Sequence, residues 1–576
     1  MLAYLGNEAR SRMTNNTKTA AAPAAAFWLA LFWIPCADAI PQSASSELDK
    51  SPSIPLAARL ERGEFGRIFT SGTFSLALPG GGRTGKTSGP GAAATGHKKR
   101  VGRAWLEMGA FVAYSNASYW IRSAFPEDWQ FQLSLDSQIP RIFFFEGWRF
   151  DSNNFKVNWT HAPAGGLYYE FARACNMSWL QSWLMAIAAS TYWEVVVEWK
   201  EVISTNDQFT TGIVSFAVGE PWYQLGHYLG HQSRILPRAL SFLNPVVKFN
   251  HWLDRKEPGA KDYVQPGWHD FSLFAGVRHL TSSGRAAETG AYFGFHTRLL
   301  GLPDYGKPGD IRETLKDTYW SEISLDYAVR NGHADETNFY TGAVPWGYFR
   351  QKIDDGLRGY SLTIGLGSSF EYFKKRPVDS YDSIPVPAHQ GLDLHLERPR
   401  NFTDKLAIVH LAGPVLDWTA FRRGLKVRTV AEAYVDFALV NSYALNEYSR
   451  LHHTPPLDTI AGMKTTVLYY GYHYAFGGTF SAKTDLEWQG LRARALASFG
   501  AWSSVDIWDR FQAEVTNNAH LDDNRFRWLL GAGWKLPRVP LELFVNFEGI
   551  RRWGRLLEVR VHGQEKRAFA GLEFSF

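Results

Sequence analysis

Six polar residues between positions 161 and 220 carry the richest chemistry in this chain: His161, Arg173, Glu194, Glu198, Asp207 and Glu220. A histidine among carboxylates can carry protons or ligate a divalent cation, and two Glu at i, i+4 share one face of a helix. Carboxylates buried by folding must be paired, protonated or metal-bound. Three uses compete. In the structural one, Arg173 and His161 neutralise the acids, Asp207 caps a helix, and the network fixes a helical unit on or in a barrel. In the enzymatic one, His161 and a Glu act as metal ligands or proton carriers on a lipid or envelope polymer. In the transport one, the helices form a plug and a charged lumen face (Arg492, Arg494, Arg525, Arg527, Asp485, Glu487) lines a path.

Other candidates fall away on context. Gly80 to Thr87, GGGRTGKT, satisfies the phosphate-cradling pattern, but SGPGAAATG follows it and cannot start the helix that such a loop needs. A flexible linker is the better reading, and no nucleotide is expected. His227 and His231, spaced i, i+4, suit a metal by spacing alone and read as a surface pair. No G-x-S-x-G elbow is present, so a serine lipase of that type has no support. The net charge of +5 arises from 61 basic and 56 acidic residues, with no basic cluster beyond His97-Lys98-Lys99-Arg100, so nucleic acid is not expected as a partner. No cofactor is expected.

The elements that must position these residues change character along the chain. Residues 1–39 read as an export signal: positive charge at Arg12 and Lys18, an apolar run, and Ala37-Asp38-Ala39 for cleavage. Cys36 as a lipid anchor is the weaker alternative, and cleavage after Ala39 leaves Cys175 as the sole cysteine. Residues 40–102, rich in Gly, Ser and Pro, read as a disordered linker. From 103 to 255 the period is helical: RAWLEMGAFVAYSNASYWIR, GGLYYEFARACN and SWLQSWLMAIAASTYWEVVVEW predict three helices. A fourth is predicted to start at Ser204, with Asp207 reaching back as a capping box. Along that fourth helix Gly212, Ser215 and Gly219 recur as small residues that admit a close neighbour. Glu194 and Glu198 argue against a simple membrane span for the third helix.

From 256 to 576 the period is two. Phe526, Trp528, Leu530 and Trp534 alternate with Arg525, Arg527 and Lys535, and the chain closes on RAFAGLEFSF with Phe576, Phe574, Leu572 and Ala570 on one face. Gly477-Gly478, Gln489-Gly490 and Pro537-Arg538 are predicted turns. Charged residues keep to one face in run after run, and 15% aromatic content suits two interfacial girdles. The expected fold is a membrane all-β barrel of ~12 antiparallel strands, preceded by an α-helical unit. The expected location is a bacterial outer membrane, with its lipid and lipopolysaccharide and the barrel assembly machinery as partners.

The helical segment also resembles a known family. Phe155 and Asn158, His161, Gly165, Tyr168 and Arg173, then Trp193, Glu194 and Glu198, then Ser204, Asn206, Asp207, Thr211, Gly219 and Glu220 match, in order and spacing, the pattern of the DUF3943 family of Gram-negative outer-membrane proteins. Two departures are Ala162 before Pro163, where the family has Pro directly after the His, and Val214-Ser215 in place of a Gly pair. The resemblance implies an outer-membrane location and this architecture; the family has no established activity, so it assigns no reaction to the six residues.

Overall fold

The computed structural model describes residues 98–575, apart from 124–128, 151–154, 233–234, 255–267, 283–286, 303, 319, 376–381, 386–394, 399–404, 442–443, 445–471, 506–519 and 557–558. The export signal, residues 40–97 of the linker with Gly80–Thr87, and Phe576 lie outside the described residues, while Val101 and Gly102 at the linker's end already belong to the first helix.

The helical unit contains α1 (Val101–Ser118), α2 (Leu135–Phe143), β1 (Trp148–Arg149), α3 (Phe155–Ala174), α4 (Trp179–Tyr192), β2 (Ile203–Ser204), α5 (Ser215–His231), α6 (Ile235–Leu240) and α7 (Pro245–Leu253). The predicted helices are present with shifted ends. The third begins at a complete capping box, Ser178 with Gln181, and passes into a π-helical stretch at Trp193–Val197. The fourth starts where predicted, and the Ser204 side chain accepts from the Asp207 N–H. A π-helical stretch, Gln208–Ile213, then precedes α5.

The strands are β3 (Trp268–Ser282), β4 (Glu288–Leu300), β5 (Gly309–Leu315), β6 (Trp320–Arg330), β7 (His333–Ile353), β8 (Gly359–Lys375), β9 (Asp382–Pro385), β10 (His395–Arg398), β11 (Lys405–Arg422), β12 (Leu425–Asn441), β13 (Tyr472–Trp488), β14 (Leu491–Ser504), β15 (Leu521–Lys535), β16 (Leu541–Leu556) and β17 (Val559–Ser575). Among the described residues, β9 and β10 pair only with each other. β17 pairs with β3 and β7 with β8, so twelve antiparallel strands close into a barrel. β5 joins the far end of β7, beyond the reach of β6. Closure removes the edges that lipid could not satisfy.

Three hairpins turn on Asn331-Gly332, Arg423-Gly424 and Gln489-Gly490, each with both residues at positive φ (51° and 76°, 43° and 82°, 48° and 84°), the twist-matched two-residue turn that needs a glycine. The predicted turn at Gly477-Gly478 is instead strand interior, within β13. A Cβ on Gly477 would lie 1.9 Å from the Ala501 carbonyl oxygen, so this glycine serves close strand approach rather than reversal.

The faces sort as the alternation requires. Leu530, Val545, Phe547, Leu572 and Phe574 point outward and are exposed, while Arg525, Arg527, Glu548, Arg567 and Glu573 on the same strands are buried or half-buried toward the lumen.

The helical unit is seated on the outer wall of this barrel, not in its lumen. Phe271, Thr297, Ile323, Thr341, Phe370, Val409, Phe437 and Phe476 are successive register partners from β3 round to β13, all on the outward face. α5 follows this row: Leu225 and Leu229 pack on Phe271 and Ile323, the Ala217 carbonyl accepts from Thr341 Oγ1 at 3.0 Å, and Ala217 and Val218 share a core with Phe370, Val409 and Phe437. Phe209 stacks on Phe437 (4.5 Å) and Trp159 on Tyr372 (4.1 Å). Because membrane strands tilt by roughly 35–45°, a row perpendicular to them climbs the wall, so the unit crosses it obliquely. The plug expected in the transport reading is therefore corrected: the apolar outer faces of β3 to β13 offered the burial that a charged lumen wall could not.

Candidate functional site

Five of the six residues singled out by sequence fall in two networks, and Glu198 lies beside the first. In the first, His161 Nδ1 lies 3.3 Å from Asp207 Oδ1, and the His161 side chain is 30% exposed. The Asn206 amide donates to Asn158 Oδ1 (3.0 Å) and Asp207 Oδ1 (3.1 Å), and the Asn158 amide donates to the hydroxyls of Tyr472 and Tyr474 on β13, both at 2.6 Å. Glu194 is buried and accepts from the Ser204 N–H at 2.9 Å, beside the cap that Ser204 makes with Asp207. This network sits where α3 and the Ser204 cap meet the barrel wall.

Glu198 accepts from Trp193 Nε1 at 2.8 Å. The backbone between Glu194 and Glu198 is π-helical, and the charges of both carboxylates act on Tyr168 and Arg141. Arg141, which carried no sequence signal, neutralises this end of the segment through its backbone: the buried guanidinium donates to the carbonyls of Glu194, Val195, Glu198 and Glu201. Asp207 does not reach back as a capping-box partner; its carboxylate faces His161, Asn206 and Thr210.

The second network is three turns further along α3. Arg173 Nε donates to Glu220 Oε2 at 2.9 Å, and its Nη2 donates to Asp317 Oδ1 at 3.0 Å, between β5 and β6. The Tyr169 hydroxyl and the Gln224 amide also donate to Glu220. Burial would raise the Glu220 carboxyl, but the Arg173 guanidinium and the hydrogen bonds from Arg173, Tyr169 and Gln224 outweigh it and hold the group below its ordinary value. Twelve residues of helix rise, about 18 Å, separate His161 from Arg173, so Arg173 does not neutralise Asp207 or Glu194.

Close backbone approach seats these networks. A Cβ on Gly165 would lie 2.0 Å from the Thr211 carbonyl oxygen, and one on Gly219 would lie 2.8 Å from the Gly166 carbonyl oxygen, where α3 crosses α5. Gly219 and Gly165 stand out in the amino-acid sequence, but what each would meet does not.

Glu170, also missed, is buried one turn before Arg173. Burial pushes its carboxyl well above the ordinary 4.5, against an opposing hydrogen bond from Asn244 and with further help from the charge of Glu220. A raised acid is protonated in the fold and ionises first in the unfolded chain, so its contribution to stability falls as pH climbs above 4.5 toward the folded value. Glu170→Gln is expected to flatten that alkaline decline while leaving stability near pH 4.5 unchanged. Melting temperatures of the two proteins across pH 4.5–9 test this, and parallel curves would refute it.

The lumen is crossed by ion pairs. Lys375 on β8 pairs with Glu565 on β17, Arg525 on β15 with Glu371 on β8 (2.8 Å), and Arg567 on β17 with Glu336 on β7 (2.7 Å). The Arg525 and Arg567 guanidiniums lie 4.7 and 5.6 Å from the ring centre of Phe373. Of the lumen residues expected to line a path, Arg527 pairs with Glu548, and Arg492 and Arg494 pair with Asp485, Glu542 and Glu573.

A closed antiparallel barrel with an apolar outer face, a charged and cross-braced lumen and a helical unit fixed to its wall defines a membrane β-barrel protein. Within it, residues 147–246 match a domain of unknown function, DUF3943, the family that the motif residues resembled. No curated protein matches the chain. Among solved structures, the β domain of the Bordetella autotransporter BrkA is 12% identical over 54% of this chain and 99% of its own, with a TM-score of 0.21. A FadL homologue of Pseudomonas aeruginosa is 9% identical over 54% and 90%, also at 0.21. Likenesses so remote bear on no activity, and the barrel stands on its own strand register.

Proposed function

We propose that the protein is an outer-membrane barrel of the Gram-negative envelope with a sealed lumen. Its DUF3943 unit serves as a lateral platform held obliquely against the outer wall within the bilayer, and the two polar networks are the clamps that hold that platform together and to the wall. The observation that carries this reading is the surface of the unit itself. Facing away from the barrel, α4 exposes Leu180, Leu184 (53%) and Tyr192, the π-helical stretch after it exposes Val196, and the neighbouring elements expose Phe143 (70%), Trp105 and Trp252 (70%). The barrel wall beside the unit exposes Phe480 and Phe547 (55%) in the same way, so the two surfaces form one apolar belt. No described helix is long and apolar enough to cross a membrane.

Orientation follows from the connections. β17 ends and β3 begins at the end that carries the Arg423-Gly424 and Gln489-Gly490 turns, and the long connections after β8, β12 and β14 leave from the other, which also carries the Asn331-Gly332 turn. In outer-membrane barrels that second end faces outward. There, Arg551, Arg555, Arg560 and Lys566 stand exposed on the outer wall around Trp553, as phosphate-bearing lipopolysaccharide in the outer leaflet would require. Export by the N-terminal signal and insertion by the barrel assembly machinery complete the reading.

A fluorophore attached at Leu184→Cys, in a Cys175→Ser background, is expected to be quenched strongly by lipids brominated on their acyl chains and weakly by aqueous iodide. The reverse order would place the platform in water and end this reading. In planar bilayers the unaltered protein is expected to be silent, because ion pairs span the lumen; steady conductance would favour a channel instead.

One observation favours an enzyme: the His161–Asp207 pair, with the imidazole partly exposed beside the barrel wall, has the geometry of an acid–base dyad for a lipid substrate. His161→Gln that abolished a phospholipid-cleaving activity without loosening the platform would support it.

A further inference from the structure

We propose that His227, His231 and His251 form a binding site for one divalent cation of the zinc class, riveting α5 to α7. This site shares no residue with the polar networks and does not depend on the platform reading.

The three imidazoles converge from two helices. One ring nitrogen from each lies within 4.8 Å of the others, with ring centres 4.5, 4.8 and 5.0 Å apart. His227 Nδ1 is 3.0 Å from His251 Nε2. Two nitrogens on one tetrahedral zinc, each at 2.0–2.1 Å, stand about 3.3 Å apart. That pair therefore needs to open by only a few tenths of an ångström to admit the ion between them.

The third ring is already oriented. His231 Nδ1 lies 2.8 Å from the His227 carbonyl oxygen one turn earlier, so Nδ1 carries the proton and Nε2 keeps its lone pair. A ligating imidazole is commonly held in this way, by a carbonyl on its other nitrogen. The Tyr223 ring lies nearly parallel to His227, 5.6 Å between centres and 14° between planes, and limits its rotation.

The helices that carry the ligands are fixed relative to one another. Asn244, the cap of α7, donates to the Trp222 carbonyl at 2.9 Å, and a Cβ on Gly226 would lie 2.7 Å from Asn244 Cβ. At position 230 a Cβ would come 3.0 Å from His251 Nδ1, so glycine there lets the His251 ring lie against α5. His231 is buried, while His227 is half-buried, which gives an ion a way in and leaves its fourth position to water. Three neutral nitrogen ligands select the borderline cations, zinc, cobalt and nickel, over calcium and magnesium, which take oxygen.

The test uses full-length mature protein without a histidine tag, folded in detergent. Titration with zinc chloride is expected to show one site, and cobalt at the same site is expected to give the visible absorption of a tetrahedral ion. His231→Gln and His251→Ala are each expected to weaken zinc binding by at least tenfold while the barrel keeps its heat-dependent gel mobility. Unchanged binding in both variants would overturn the proposal. Should either variant fail to fold, diethyl pyrocarbonate modification of the unaltered protein decides the matter. Zinc is expected to protect His227, His231 and His251 among the 17 histidines, and protection at others, or none, would overturn it.

Discussion

Gly165→Val is expected to dislodge the helical unit while the barrel remains folded. The obstacle is backbone: a Cβ at residue 165 would stand 2.0 Å from the carbonyl oxygen and 2.8 Å from the carbonyl carbon of Thr211, so no side-chain rotation relieves the clash. Overpacking typically costs about 1–3 kcal/mol where neighbours can adjust, and here the adjustment would have to move the Gln208–Ile213 segment. That segment follows directly on Asp207, whose carboxylate faces His161, and Phe209 from it stacks on the barrel residue Phe437. Displacing it therefore disturbs the first polar network and the docking surface together. The expected readout is a barrel that keeps its heat-dependent gel mobility, with amide protection lost across residues 155–231. Native protection in the variant would show that α3 has slack that the close approach denies.

Arg173→Ala is expected to be nearly as damaging, for an electrostatic reason. Glu220 is fully buried, and its ionised form is held by Arg173 with help from Tyr169 and Gln224. Removing one partner from a buried ion pair costs about 3–5 kcal/mol, whereas replacing both by apolar residues of similar volume is often neutral. Arg173→Met with Glu220→Leu is accordingly expected to recover most of the loss. Denaturation of the helical unit, followed in the three variants at neutral pH, tests this. Additive losses in the double variant would contradict it. Acid should act on the unaltered protein as the single variant does. Because Glu220 is held below 4.5, its stabilisation is complete above that pH and is lost as pH falls through the folded value.

Much of this was legible in the residues. Alternation of Phe526, Trp528 and Leu530 with Arg525 and Arg527 signals a strand with one apolar and one charged face, because side chains of a strand must alternate. Gln489-Gly490 signals a hairpin because its turn puts both residues at positive φ, which a glycine at the second position tolerates. Ser204 could be read as a helix cap from its type and place alone. Gly477-Gly478 misled, because glycine marks close backbone approach as well as reversal, and the two look alike in one strand. The six polar residues could be chosen by type, but not grouped: which of them share a network depends on how α3 packs against the Ser204 cap and α5, and periodicity along one helix carries no signal of that. Arg141 escaped notice because its partners are carbonyls of a distant segment, to which any residue type contributes equally.

By itself, then, the sequence determined the local matters: which stretches are strands and helices, where several of them start and turn, and that one face of every barrel strand is apolar. What covers each apolar face was decided only in three dimensions. Phe370, Val409 and Phe437 lie under the helical unit and Leu530, Val545 and Phe547 do not, yet the two sets are alike in composition, since burial against a helix and exposure to hydrocarbon ask for the same side chains. The cross-lumen pairs and the convergence of His251 on His227 and His231 belong to the same category. Each joins positions far apart in the chain, and only barrel closure and helix packing set the distance between them.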